Sequence, residues 1–184
     1  MVDEPGGAGR VLEIGAAVRA ELGRIDWGGT ACCCGGTAGH LVLLFEALLE
    51  VEEPWRLRMT PLVPHLVDRG GPAACTVPAV RVMLAALAGG VPGMARTVFL
   101  DALAEIAWFS AEPGASGAAA SGLGRAIHAE CRESARRGLG VILREGLAGT
   151  HGDAARAAAV CEAYWPGDAV AVDAWVRLVE RAGR

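Results

Sequence analysis

His65 and Asp68 stand three residues apart, with Arg69 beside them. On a helix, side chains at i and i+3 share a face. A carboxylate there could orient the imidazole as a general base, and the guanidinium could hold an anion. The same trio also fits a surface hydrogen bond at a helix end beside a turn. His128 and Cys131 repeat the spacing. A Cys–His pair can make a thiolate nucleophile, although Ile127 and Ala129 point instead to a packed thiol. Cys32, Cys33 and Cys34 are consecutive, and His40 follows, so Cys34 and His40 could share a ligand. Zinc sites space paired cysteines by about two to four residues, which three neighbours in a row do not do. On that ground no metal and no cofactor are expected, and the six cysteines read as free thiols of a reducing compartment. His151 reads as solvent-facing.

Composition removes whole classes of chemistry. All 17 basic residues are Arg, and Lys, Asn and Gln are absent from the 184 residues. Without Lys there is no Schiff base and no phosphate-loop lysine. Without Asn or Gln no amide side chain can serve an oxyanion hole or read adenine. The formal charge of −4 argues against a nucleic-acid clamp. The Gly pairs at 28–29, 35–36, 70–71 and 89–90 lack the preceding strand and the Lys of a phosphate loop. Apolar residues make up 53% of the chain, enough to build a core and too many for a disordered state. The uncharged stretch Val82–Ala95 is interrupted by Gly89, Gly90, Pro92 and Gly93, so the mean hydropathy of +0.35 indicates buried helices, not a membrane span. The acidic start, Met1-Val-Asp-Glu, is unlike a secretory signal, and a cytoplasmic protein is expected.

Apolar residues recur at helical spacing, with no stretch alternating long enough for a strand. Helices are predicted at about 10–22, 38–51, 55–67, 77–88, 92–110, 123–148 with a break near Gly138, 153–165 and 169–181. Pro61 and Pro64 argue for a kink in the third of these. Residues 26–39 and 68–72 read as loop and turn, and 111–122 as a low-complexity mobile loop. Glu46, Glu50, Glu52 and Glu53 form an acidic helix end. Arg132, Arg136 and Arg137 form a basic stripe that pairs along its helix or holds a phosphate or carboxylate. Of five tryptophans, Trp55 and Trp165 sit at turns and are expected to be exposed.

One pattern recurs. Leu87-Ala-Gly-Gly-Val-Pro-Gly-Met-Ala-Arg96 aligns without a gap on Leu147-Ala-Gly-Thr-His-Gly-Asp-Ala-Ala-Arg156, and Leu49, Pro54 and Arg58 fall on Leu87, Pro92 and Arg96. A helix end, a short turn and an Arg early in the next helix therefore occur three times. Each Arg can bridge to a carboxylate or a backbone carbonyl of a neighbouring unit. The pattern resembles HEAT-like helical repeats, with Arg58, Arg96 and Arg156 on the family's Arg position. More narrowly, Arg24-Ile-Asp-Trp27, the run from Asp68-Arg-Gly-Gly to Val77-Pro78-Ala79-Val80, and Ala107-Trp108-Phe109 resemble a group of small bacterial HEAT-repeat proteins of unassigned role. The resemblance implies an all-α solenoid of antiparallel helix pairs. A single domain 1–184 would carry an N-terminal helix and Cys/Gly-rich loop (1–37), then about three repeats (38–183).

Repeats without a catalytic motif point to a binding module whose concave groove holds a protein or peptide. Trp55, Arg58, Arg69 and Trp165 are its candidate contacts, since Trp and Arg dominate interface energetics. The alternative is a small-molecule enzyme or ligand-binding protein of specialised metabolism, with a pocket near His65, Asp68 and Arg69. An immunity or self-resistance protein is a third reading, differing from the first only in its partner. Neither nucleic acid nor membrane is expected as a partner, and whether the chain is an enzyme is left open by these residues.

Overall fold

A computed structural model describes residues 7–50, 62–68, 71–111, 122–165 and 167–183. Its helices are α1 (Gly7–Leu22), α2 (His40–Glu50), α3 (Val63–Leu66), α4 (Thr76–Gly89), α5 (Gly93–Ala111), α6 (Gly122–Arg137), α7 (Leu139–Ala148), α8 (His151–Tyr164) and α9 (Ala169–Ala182). The protein is predominantly helical, as the periodicity predicts. Between α3 and α4 lies a small antiparallel hairpin, β1 (Val67–Asp68) and β2 (Gly71–Pro72), with Val67 opposite Pro72. That hairpin corrects the expectation of no strand; two-residue strands are too short to show alternation. Of the predicted 55–67 helix, Val63–Leu66 is helical, and residues 51–61 lie outside the described residues. Trp55, Arg58 and Arg69, and residues 112–121 of the predicted loop, lie outside them too. Among the described residues, no helix is long and apolar enough to cross a membrane.

The core is built around α4. Ala79, Val80, Val82, Met83, Ala86 and Leu87 are all fully buried, so this helix is covered on nearly every face. It packs against α1, α6 and α7. Pro78 falls in its first turn, where an amide N–H has no helical acceptor to lose. The predicted long helix does break at Gly138, which separates α6 from α7. A second layer follows, with α5 on α8 and α8 on α9. Trp165 is 2% exposed and stacks beside Tyr164 with ring centroids 5.6 Å apart. The turn it occupies folds inward, so its predicted exposure is corrected. Trp108, by contrast, is 62% exposed.

Buried carboxylates lock these layers. Glu145 of α7 is buried and accepts from Arg96 Nε of α5 at 3.0 Å and from Arg144 Nε at 2.8 Å. Arg144 also donates to the carbonyl of Leu87 at the end of α4, at 3.0 Å. A cation there meets the negative end of the helix. Arg156 of α8 donates to Asp101 of α5 at 2.9 Å. Arg96 and Arg156, the two repeat arginines inside the described residues, thus make the inter-helix bridges expected of them.

Asp153 is 1% exposed and fully engaged. Its carboxylate accepts from Thr97 Oγ1 at 2.7 Å, Thr150 N at 2.9 Å and Thr150 Oγ1 at 3.0 Å. Thr150 Oγ1 in turn accepts from Asp153 N, closing a capping box at the start of α8. Asp153→Ala would strand these donors and remove charge-assisted bonds. It is expected to cost about 2–3 kcal/mol of unfolding free energy, measured by urea denaturation. Thr97→Val, which removes only one donor and keeps the box, should cost about half as much.

Candidate metal centre

The segment between α1 and α2 is held by its own backbone. Trp27 donates from Nε1 to the carbonyl of Leu22 at 3.0 Å, and Thr30 Oγ1 donates to the carbonyl of Asp26. The chain then makes a narrow loop. Ala31 bridges Thr37, Cys32 N donates to Gly36 O at 3.0 Å, and Gly35 N donates to Cys32 O at 3.1 Å. Gly35 turns the corner with φ +85°, a conformation that disfavours any residue with a Cβ. In so tight a loop, Cys32 and Cys34 point to one side, while Cys33 turns away toward the carbonyl of Gly71. His40 follows as the first residue of α2.

A distant segment completes the cluster. Cys33 N donates to His65 O at 3.1 Å, and Cys75 N donates to Ala31 O at 3.2 Å. These two bonds clamp the loop to α3 and to the start of α4, bringing His65 to the thiols. Cys32 Sγ lies 3.1 Å from Cys34 Sγ, 3.7 Å from His40 Nε2 and 3.8 Å from His65 Nδ1. His40 Nε2 is 4.0 Å from Cys34 Sγ and 3.0 Å from His65 Nδ1. The four donor atoms all fall within 4.8 Å of one another.

A tetrahedral zinc ion with Zn–S of about 2.3 Å and Zn–N of about 2.0–2.1 Å requires donor separations of roughly 3.3–3.8 Å. The cluster brackets that range. Its two shortest edges would have to open, the imidazole pair from 3.0 Å by about 0.3 Å and the thiol pair from 3.1 Å by about 0.7 Å. The tautomers also fit. His40 Nδ1 lies 3.0 Å from Thr37 O and donates to it, which leaves Nε2 a bare lone pair facing the cluster. Burial, and then the neighbouring His40, hold His65 below the usual imidazole range, so it stays neutral and able to ligate. Cys34, exposed at the loop tip, is lowered, first by its hydrogen bond with Cys32 Sγ and then by the Gly36 backbone. Cys32 is raised, chiefly by burial.

His65 therefore belongs to the candidate cluster, but not in the partnership that its spacing to Asp68 suggests. α3 ends at Leu66 and Asp68 stands in β1, so the helical i, i+3 geometry is absent. The Nδ1 of His65 faces Cys32 and His40 instead. The linear-spacing argument against a metal lapses, because Cys32 and Cys34 come from one loop, His40 from the start of α2 and His65 from a segment over thirty residues beyond the cysteines. Cys34 with His40 was the one legible part; Cys32 and His65 join only through the fold.

The other thiols are chemically quiet. Burial pushes Cys131 up to about 12, Cys75 to about 12 and Cys161 to about 11. Cys33 reaches about 11 through burial and then the nearby Asp68 carboxylate. Cys131 is fully buried, in keeping with the packed thiol that Ile127 and Ala129 point to rather than with a Cys131–His128 nucleophile. His128 packs near Tyr164, with ring centroids 6.0 Å apart. The chain matches no family model, no curated protein and no solved structure.

These environments order the thiols by reactivity. With a thiol-disulfide reagent near neutral pH, Cys34 of metal-free native protein is expected to react first, while Cys75, Cys131 and Cys161 wait for unfolding. Peptide mapping of the modified cysteines checks this order. Zinc added beforehand should slow Cys34, and denaturant should release all six thiols.

Proposed function

We propose that this protein is a zinc-binding helical scaffold, in which Cys32, Cys34, His40 and His65 hold one zinc ion. The convergence of two thiols and two imidazoles within 4.8 Å carries the reading. Two soft and two borderline donors suit zinc over the harder magnesium or calcium. Four protein ligands leave no position for water or substrate, which favours a structural role over a catalytic one. The ion would fasten the 31–37 loop, the start of α2 and α3 to one another, adding its binding free energy to folding. This reading replaces the expectation of no metal cofactor.

The HEAT-like solenoid is the scaffold we propose around it, supported by the paired bridges of Arg96 and Arg156. A second reading, the interaction module, draws on one observation. Val172, Val176 and Val179 lie along an exposed face of α9, each about 40% exposed. Such a stripe at i, i+4, i+7 spacing suits the apolar face of a partner helix. The proposed compartment is the cytoplasm, in keeping with six free cysteines.

The test is metal content after zinc loading and exhaustive desalting. Wild-type protein should retain about one equivalent of zinc and show tetrahedral d–d absorption when cobalt is substituted. The Cys32→Ser/Cys34→Ser variant should retain none, and His65→Ala should bind weakly. Zinc at a thousandfold excess over its dissociation constant should add about 4 kcal/mol of stability to the wild type alone. Wild-type zinc content equal to that of the double variant would refute the proposal.

A further inference from the structure

A cavity of about 580 Å³ opens between α1, α4 and α6. Its walls carry three guanidinium groups from three elements: Arg24 just after α1, Arg81 on α4 and Arg137 at the end of α6. Ile25, Leu84 and Ala85 give it an apolar lining. Gly138 closes one side, where an added Cβ would fall 2.5 Å from Leu84 Cδ2. The volume lies within the range of ordinary small-molecule sites.

Charge distinguishes this cavity from the rest of the surface. The chain as a whole carries −4, yet the lining holds three Arg against the single carboxylate of Glu21. Two of the three cations have partners within one turn: Arg24 pairs with Glu21, whose carboxylate is mostly covered, and Arg137 with Glu133 at 3.0 Å in a pair largely exposed to water, where competition is weak. Arg81 makes no hydrogen bond or ion pair among the described residues. Ser134, 7% exposed, also lines the cavity and brings a hydroxyl to it.

We infer that this cavity binds a phosphate monoester. Arginine forks match phosphate oxygens with paired N–H donors. A monoester carries close to two negative charges at neutral pH, which balances the surplus of the lining; a monocarboxylate would leave half of it uncompensated. The Ser134 hydroxyl can donate to a phosphate oxygen, and the ester's organic part would rest on Ile25 and Leu84. Binding here is independent of the metal centre, whose residues are not part of the lining.

Calorimetric titration with glycerol 3-phosphate, in buffer of physiological ionic strength, tests the inference. Saturable one-to-one binding is expected in the wild type and none with glycerol. Arg81→Ala should weaken it by about tenfold or more, and Arg81→Lys, which keeps the charge but loses the fork, by less. Ser134→Ala should weaken it further by a smaller factor. Arg177→Ala, on the exposed face of α9, should leave it unchanged. Inorganic phosphate run in parallel identifies the source: equal affinity makes the free ion the ligand, and weaker affinity shows that the organic part contributes. No binding in the wild type overturns the inference. So does binding that Arg177→Ala weakens as much as Arg81→Ala, since that is diffuse charge attraction.

Discussion

The burial of α4 on nearly all sides is the constraint from which the rest follows. An apolar helix in that position cannot turn its end groups to bulk water, so each end must find partners in other segments. At the N-terminal end, Cys75 N bonds to Ala31 O, and Thr76 Oγ1 donates to Leu66 O at 2.6 Å. At the C-terminal end, Arg144 meets the carbonyls of Leu87 and Ala88, and Gly90 N closes on Leu87 O. The first arrangement draws in the cysteine loop and α3. The second draws in α7, whose Glu145 then fixes α5 through Arg96. Candidate site and helix lattice are two answers to the same demand.

The donor cluster depends on the first of these ends. The carbonyl of His65 accepts from Cys33 N, and the thiols of Cys32 and Cys75 also reach it, at 3.2 and 3.3 Å. One carbonyl thus gathers three cysteine residues, and its side chain is carried into the cluster as a consequence. Replacing the side chain of His65 need not disturb this backbone clamp. Loss of zinc binding and loss of the fold are therefore separable at this residue.

Much of the helical plan was legible because it rests on local rules. The break at Gly138 and the Asp168 cap on α9 each follow from a residue type at a helix end, whereas the Thr150–Asp153 capping box sets the start of α8 two residues before the predicted 153. Arg96 and Arg156 were legible through their repeated position. What escaped is what the chain assembles over distance. Nothing near Cys32 names His65 as its neighbour, since the contact is made by a backbone bond across more than thirty residues. The inward turn at Trp165 escaped for the same reason, because a tryptophan beside Pro and Gly reads as a surface corner until Tyr164 and α9 are in place. Arg81 gave no signal either: a lone Arg on an apolar helix stands out only when Arg24 and Arg137 arrive from other elements.

The cluster also has a definite chemistry without an ion. Its donors are then left to one another, thiol to thiol at 3.1 Å and imidazole to imidazole at 3.0 Å. Each contact needs a shared proton to be attractive, because two thiolates or two bare lone pairs would repel. His40 has already committed its Nδ1 proton to Thr37 O, so the proton between the rings must come from His65 Nδ1. A divalent cation would take the place of these protons at one point and draw all four donors inward at once. The loop, the helix start and α3 are already in position for that exchange, held by Cys33 N and Cys75 N. Little backbone ordering is left for the ion to drive, so its binding free energy would go largely into holding these segments together.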